Sequence, residues 1–264
     1  MSKNQEDPMN LTDKVIVITG GASGMGEACG HTFTGLGAKV VLGDRDEPRG
    51  RAVAAAINAA GGVAEFLKVD VTDESALKAM VDLAVDKFGG LDGAVNAAGI
   101  AGIPTNVAEL EAKPWRINFE VKTLGVALAM KHEIRAMLKR GGGSIVNIAS
   151  TGGLDGVPMM APYSAAKHAV IGATKSAAVE TAASGIRVNA LCPGLIDTPM
   201  FRNKASDGAD YSGVSRKVPM GRFGTASEIA DVALWLLSAR SSFVTGQAIC
   251  VDGGLLVGVF GKPN

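Results

Sequence analysis

Tyr163 and Lys167 stand four residues apart in a helix-forming stretch that begins near Pro162, so one helical face carries both side chains. A free phenol ionises near ~10 and is a poor base at neutral pH, but an ammonium within a few ångströms favours the phenolate. The two are a candidate proton-transfer pair. Ser150 lies 13 residues before Tyr163, at the end of an apolar run, so a helix starting after a short loop returns its first turn to the end of that run. Its hydroxyl is then placed to hold a substrate oxygen. Taken singly, Tyr163 and Lys167 would be a surface contact and Ser150 a turn residue; together they describe a site.

A second group has the chemistry of an anion cradle. Thr19-Gly20-Gly21-Ala22-Ser23-Gly24-Met25-Gly26 follows one apolar run and opens a helical one. Backbone N–H groups at a helix N-terminus bind phosphate, and a Cβ at Gly20, Gly24 or Gly26 would hold off a dinucleotide pyrophosphate or push helix from sheet. Ser23 and Met25 belong to the same turn. About 20 residues on, Asp44 ends the next apolar run, where its carboxylate can accept from the hydroxyls of an adenosine ribose. A 2′-phosphate would meet that charge, so NAD is expected and NADP is the lesser alternative. Arg45 argues the other way, because a guanidinium beside the ribose pairs with a 2′-phosphate; its plain role is a solvated loop charge.

Three further run ends complete this edge. Asp70-Val71 ends a third run, where Asp70 either faces adenine or forms a helix cap with Thr72. Asn96-Ala97-Ala98-Gly99 ends a fourth, with residues small enough for a ribose to lie close. Pro193-Gly194-Leu195-Ile196-Asp197-Thr198 follows another; Pro193 lacks an N–H, while Thr198 and exposed backbone suit a carboxamide.

The elements that must position these residues are legible as β-branched apolar runs at 15–19, 39–43, 64–69, 91–96, 144–149, 186–191 and 248–251. Helix-sized segments, such as 24–36 and 49–60, alternate with them. Runs apolar on both faces, as in Val15-Ile16-Val17-Ile18, require a parallel sheet covered by helices. The fold predicted is α/β: a doubly wound parallel sheet of the Rossmann type, in three layers α/β/α, with right-handed crossovers. It is expected as a single domain over residues 11–264 behind a flexible tail, residues 1–10. The segment 197–224, rich in Gly, Ser and charge, lacks periodicity and is expected to be a substrate loop. Long helices are expected near 114–139 and 162–184, and the alanine-rich face of the second suits either intrachain packing or a subunit contact.

Composition excludes other classes. Lys+Arg and Asp+Glu number 26 each in 264 residues, so no net charge draws the chain to nucleic acid or an anionic membrane. Apolar runs such as 126–130 fall far short of the ~20 residues that span a bilayer. Residues 1–10 lack the apolar stretch and small-residue site of a secretory signal. Cys29, Cys192 and Cys250 are widely spaced, which suits reduced, buried thiols in a cytoplasmic enzyme and no metal site. The 35 glycines in 264 residues, about 13% against a usual ~7%, are an excess that the cradle begins to explain.

The ordered set Thr19-Gly20-xxx-Gly24-x-Gly26, Asp70, Asn96-Ala97-Ala98-Gly99, Ser150, Tyr163-xxx-Lys167, Pro193-Gly194 and Val251-Asp252-Gly253-Gly254 resembles the short-chain dehydrogenase/reductase family. The likeness runs from Leu11 to about Gly254. It implies Tyr163 as general acid/base, Ser150 at the substrate oxygen, Lys167 binding the nicotinamide ribose and tuning Tyr163, and Ile196 and Thr198 at the carboxamide. It also implies a homotetramer, or a homodimer, built on the helices near 114–139 and 162–184. Two positions depart from the family pattern. Its Asn-Asn-Ala-Gly turn has lost one amide at Ala97. Where the family carries a relay Asn, seven residues after Trp115 and three before Gly125, this chain has Lys122, and Asn118 is one helical turn too early. The family position holds a water partly through its backbone carbonyl, which any residue possesses. Lys122 either keeps that relay and adds a second cation, disfavouring protonation of Lys167, or snorkels away from the site.

The reaction expected is reversible hydride transfer between a secondary alcohol and NAD, the cofactor performing the redox step and the protein managing position and protons. Ile103, Leu154, Val157, Met159, Tyr211 and Val218 are among the expected pocket walls, suited to a hydrophobic small-molecule alcohol that is alicyclic, aromatic or steroid-like. Arg202 and Asp155 are expected as exposed charges. Two other readings stand: an NADP-dependent ketone reductase, and a weakly active NAD-binding partner or sensor protein, for which Lys122 is the motive.

Overall fold

A computed structural model of the chain describes residues 9–205 and 217–258. The first half runs β1 (Val15–Thr19), α1 (Gly24–Gly35), β2 (Lys39–Asp44), α2 (Glu47–Ala59), β3 (Val63–Lys68), α3 (Glu74–Phe88) and β4 (Gly93–Asn96). Next come α4 (Ala112–Phe119), α5 (Gly125–Arg140), β5 (Gly143–Ile148), α6 (Ala161–Thr181) and β6 (Ile186–Pro193). The chain continues through β7 (Ile196–Asp197), α7 (Pro199–Ala205), β8 (Gly224–Thr225), α8 (Ala226–Leu237) and β9 (Ala248–Val251). Seven strands form one parallel sheet in the order β3-β2-β1-β4-β5-β6-β9. This is the doubly wound fold that the alternation predicts, and its direction of winding reverses between β1 and β4, which opens a crevice at the carboxyl edge.

β1 illustrates why the sheet needs helices on both faces. All five of its residues are buried; Val15 and Val17 enter one apolar core, Ile16 and Ile18 the other. The first core is completed by α3, α5 and α6 through Met80, Met137 and Val170, the second by α1, α2 and α8 through Phe33, Ile57 and Ile229. Helix ends are set locally. Asp46 and Asp73 cap α2 and α3 by accepting from the backbone N–H groups of Arg49 and Ser75, and Thr225 with Glu228 forms a reciprocal capping box on α8.

Several expectations change. The helix expected over 114–139 is α4 and α5 joined by a π-helical turn, Glu120–Leu124, which carries Lys122 inward. Within the segment 197–224, α7 follows β7 and β7 pairs in parallel with β8, and residues 206–216 lie outside the described residues. Tyr211 lies outside the described residues, as do residues 1–8, while Met9 packs against the second core. All three cysteines are free thiols, but Cys250 is exposed where a buried residue was expected, because β9 is the edge strand of the sheet. No described helix is long and apolar enough to cross a membrane.

Beneath the crevice, α5 places Glu133 in the core, 1% exposed. Asn96 Nδ2 donates to Glu133 Oε2 at 3.1 Å and to Asn147 Oδ1 at 2.9 Å, and Asn147 Nδ2 donates to Thr174 Oγ1 at 2.9 Å. This polar chain ties β4, β5, α5 and α6 together. Burial pushes the Glu133 carboxyl up to about 8, so it is protonated at neutral pH. Its folded value lies above the unfolded one, so its stabilisation is complete below the ordinary carboxyl range and is lost as pH rises toward about 8. Glu133→Gln, uncharged at every pH, is expected to match the wild type near about pH 5 and to exceed it at about pH 8 by on the order of a few kcal/mol. Melting temperatures across that range check this, and parallel curves for the two proteins would contradict it.

Candidate active site

Parallel register brings the candidate residues to one edge. Thr19 ends β1 opposite Gly43 of β2 and Asn96 of β4, and Asn96 pairs with Asn147 of β5. At the turn after β1, Gly20 has φ +73°, and a Cβ there would stand 2.8 Å from the Ala98 backbone nitrogen. A Cβ on Gly26 would stand 2.2 Å from the Gly20 carbonyl oxygen, so only glycine lets α1 start this close to the sheet. Gly24, at φ +57°, faces Thr198, whose Cγ2 would lie 3.4 Å from a Cβ. Ser23, the N-cap of α1, makes no side-chain capping bond, which leaves the first turn's N–H groups without a side-chain acceptor. Met25 packs behind them on the second core.

The cradle is braced on both sides. Thr19 Oγ1 accepts from the Ala98 backbone N–H at 3.4 Å, and Asp44 accepts from Ala22 N–H at 3.1 Å and Asp46 N–H at 3.0 Å. A Cβ on Gly99 would meet nothing within 4 Å, so the turn after β4 opens on empty space. Bare N–H groups, glycines that admit close approach and a fixed carboxylate fit a dinucleotide.

Other cofactor candidates are engaged elsewhere. The Asn96 side chain points inward to Glu133 and Asn147, so this turn offers the crevice only Ala97, Ala98 and Gly99. Val71 and the Ile196 side chain belong to the two cores. Asp70 Oδ1 accepts from Thr72 N–H at 2.9 Å and Thr72 Oγ1 at 2.7 Å in a local turn, and the helix cap expected there is made by Asp73 instead. The Thr72 bonds, helped by the charge of nearby Arg45, hold the Asp70 carboxyl below the usual range. Gly194 follows Pro193 at the end of β6 and packs on the Asp252 turn, where a Cβ would stand 2.8 Å from the Asp252 Cα.

The reacting end is built where β5 gives way to α6. Ser150 Oγ accepts from the Gly152 N–H at 3.1 Å, and Ser150 hydrogen-bonds to the Tyr163 hydroxyl. Gly152 and Gly153 let this turn lie flat on α6: Cβ atoms there would stand 3.2 Å from Tyr163 Cε1 and 2.8 Å from the Lys167 backbone. The sequence signal for this close packing is the Gly-Gly pair just after Ser150. Lys167, 6% exposed, donates through Nζ to the Ile148 carbonyl at 2.6 Å. Burial draws Lys167 down to about 8, with nearby Cys192 acting in the opposite direction. Burial also pushes the Tyr163 hydroxyl above its ordinary value, while the Ser150 bond pulls it down and Cys192 adds to the rise. The expected acidification of Tyr163 by Lys167 is thus not the leading influence; loss of water around the phenol is.

Lys122 does not snorkel. It is 1% exposed, with Nζ 4.8 Å from the centroid of the Tyr163 ring and a hydrogen bond donated to Asn118 Oδ1. Asn118 in turn donates through Nδ2 to the Pro114 carbonyl at 2.8 Å, which aims its oxygen at the ammonium. Asn118, one helical turn before Lys122, is the residue that meets it.

Two loops frame the mouth. Thr105 N–H donates to the Met159 carbonyl at 2.8 Å, with Met159 held at φ 65°. Ile103, Leu154, Val157 and Met159 expose apolar side chains there, whereas Val218, 2% exposed, is packed beside Gly253. Asp155 is exposed as expected. Arg202, exposed too, is paired in two-pronged fashion with Asp197 at 2.6 and 2.7 Å. Among the described residues no cluster of His, Cys, Asp or Glu could hold a metal ion.

Comparison with known proteins agrees with this geometry. A family described as enoyl-(acyl carrier protein) reductase matches residues 20–256. The chain is 43% identical over 249 residues to 2,5-dichloro-2,5-cyclohexadiene-1,4-diol dehydrogenase of Sphingobium indicum, covering 93% of this chain and 98% of the relative. It is 42% identical over 244 residues to cis-4-hydroxycyclohexanecarboxylate dehydrogenase of Sinomonas cyclohexanicum, covering 92% and 97%. The crystal structure of levodione reductase superposes with a TM-score of 0.90 at 34% identity, covering 94% of this chain and 99% of that one. The chain belongs to the short-chain dehydrogenase/reductase family. It is an oxidoreductase of CH–OH groups that interconverts alcohol and ketone with a nicotinamide cofactor.

Proposed function

We propose that this enzyme is an NAD-dependent dehydrogenase of ring-borne secondary alcohols, with Tyr163 as its general acid/base. The observation that carries the reading is the Ser150 hydroxyl bonded to Tyr163 one helical turn before Lys167, at the edge that holds the glycine cradle. In alcohol oxidation, the Tyr163 phenolate accepts the substrate hydroxyl proton while Ser150 holds the oxygen. The chemistry that bound NAD supplies is acceptance of the hydride from the carbinol carbon. Lys167 holds the nicotinamide ribose, and Thr198 with the Ile196 backbone holds the carboxamide. The exposed Ile103, Leu154, Val157 and Met159 suit a hydrophobic ring, and both relatives above are named for ring-borne hydroxyl substrates.

Asp44 favours NAD, since its carboxylate is fixed by Ala22 N–H where a 2′-phosphate would have to sit. Arg45 acts on Asp70, which makes it a weaker argument for NADP. The assembly proposed is a homotetramer, or a homodimer, through α4–α5 and α6, whose surfaces expose Leu124, Leu138 and Val179. The protein is proposed to work in the cytoplasm.

Tyr163→Phe is expected to lower alcohol-dependent NADH formation by at least about 10²-fold; unchanged turnover would remove Tyr163 from the proton transfer. Wild type is expected to show the higher kcat/KM with NAD, and Asp44→Ala to cut the NAD:NADP ratio by about tenfold or more, the scale of one lost charge-assisted bond. A wild-type preference for NADP would overturn the assignment. Light scattering should return two or four times the 26.9 kDa chain mass, and a monomer would contradict the proposed assembly.

A further inference from the structure

Lys122 carries its amine where water cannot reach it, in a turn of the helix that is rewound to bring it there. The π turn Glu120–Leu124 adds a residue to the helical repeat, and Lys122 is the buried residue of that turn. Its Nζ lies 4.8 Å from the Tyr163 ring centroid, inside the ~6 Å over which a cation is drawn to an aromatic face. Asn118 fixes it from the other side, accepting from Nζ while its own amide donates to Pro114. The attraction to a neutral ring is modest. To a phenolate, whose charge is shared with the ring, it becomes that of an ion pair in a low-dielectric interior.

We propose that Lys122 is a positioning residue for charge: a second buried cation, set over the ring of Tyr163, that stabilises its phenolate and so offsets the penalty of burying it. Lys167 approaches Tyr163 along α6, and Lys122 approaches from the π turn. Around them, Cys192 of β6 is the titratable group that opposes ionisation of Tyr163. On α5, Glu133 turns to Asn96 and His132 to Glu74. Asp155 in the loop after β5, His168 on α6, Lys113 and Arg116 on α4 and Glu120 in the π turn are exposed. The titratable groups left around the phenol are Lys122 over its ring, Lys167 one turn along α6, and the Cys192 thiol, which burial pushes up to about 11. The consequence for catalysis rests on the acid/base reading of Tyr163, but the effect on its ionisation does not.

The chain has two tyrosines, Tyr163 and Tyr211, so in a Tyr211→Phe background tyrosinate absorbance reports Tyr163 alone. Alkaline titration of this protein without cofactor is compared with the same protein carrying Lys122→Met, Lys122→Asn or Lys122→Arg, each checked for its fold by circular dichroism. Both neutral variants are expected to titrate at least about one pH unit higher, the usual scale for losing an opposite charge at ~4–6 Å. The arginine variant should stay near the parent. Identical titrations for the parent and a folded neutral variant would overturn the proposal, as would an arginine variant that shifts as far as the neutral ones. The same variants in the Tyr211-containing enzyme should move the acid limb of the pH profile for alcohol oxidation upward by the same amount. A shifted titration with an unmoved rate profile would support the charge effect on Tyr163 and count against Tyr163 as the acid/base.

Discussion

Because β1, β4, β5 and β6 run parallel and in register, their carboxyl ends reach one edge of the sheet, and every chemical group of this enzyme has to fit there. The edge is crowded. Gly20 lies against the Ala97–Ala98 backbone, Gly26 against the Gly20 carbonyl, and Gly153 against the backbone of Lys167, each at a separation no side chain tolerates. Close backbone approach is the constraint that sets where α1 and α6 begin. The first of these starts defines the cradle, and the second sets Tyr163 over Ser150.

The same crowding puts ionisable groups out of reach of water. Lys167, Lys122 and Glu133 are all buried within or under the crevice. Each answers differently: Glu133 by keeping its proton, Lys167 by donating to a carbonyl and titrating near neutrality, and Lys122 by lying between an amide oxygen and an aromatic face. A phenol in such surroundings resists ionisation, and the Ser150 hydrogen bond works against that resistance at Tyr163. Placement of charge, more than any unusual residue, distinguishes this site.

Much of this was readable from the chain. Seven apolar runs gave the strands, because a strand buried on both faces leaves an unbroken hydrophobic signature, and Asp44 was findable from its distance past the glycine turn. The π turn was hidden, since one extra residue in a helical turn leaves composition and local periodicity almost unchanged while rotating Lys122 into the core. Glu133 was hidden for a related reason: it sits in Lys131-His132-Glu133, which reads as a solvated face, yet only Lys131 is exposed. Asp70 and Asn96 stand at the strand ends expected, while their side chains bond to Thr72 and to Glu133 and Asn147. Position at a strand end is a property of sequence, whereas the direction of a side chain depends on neighbours brought from elsewhere in the fold.

The central proposal is that one crevice does redox chemistry on a ring-borne hydroxyl. The most direct measurement is NADH absorbance after mixing the wild-type enzyme and NAD with matched cyclic and acyclic secondary alcohols at mildly alkaline pH. The account predicts NADH formation, with a higher kcat/KM for the cyclic members. Binding of NAD with no NADH formed from any of them, or a consistent preference for the acyclic members, would contradict it.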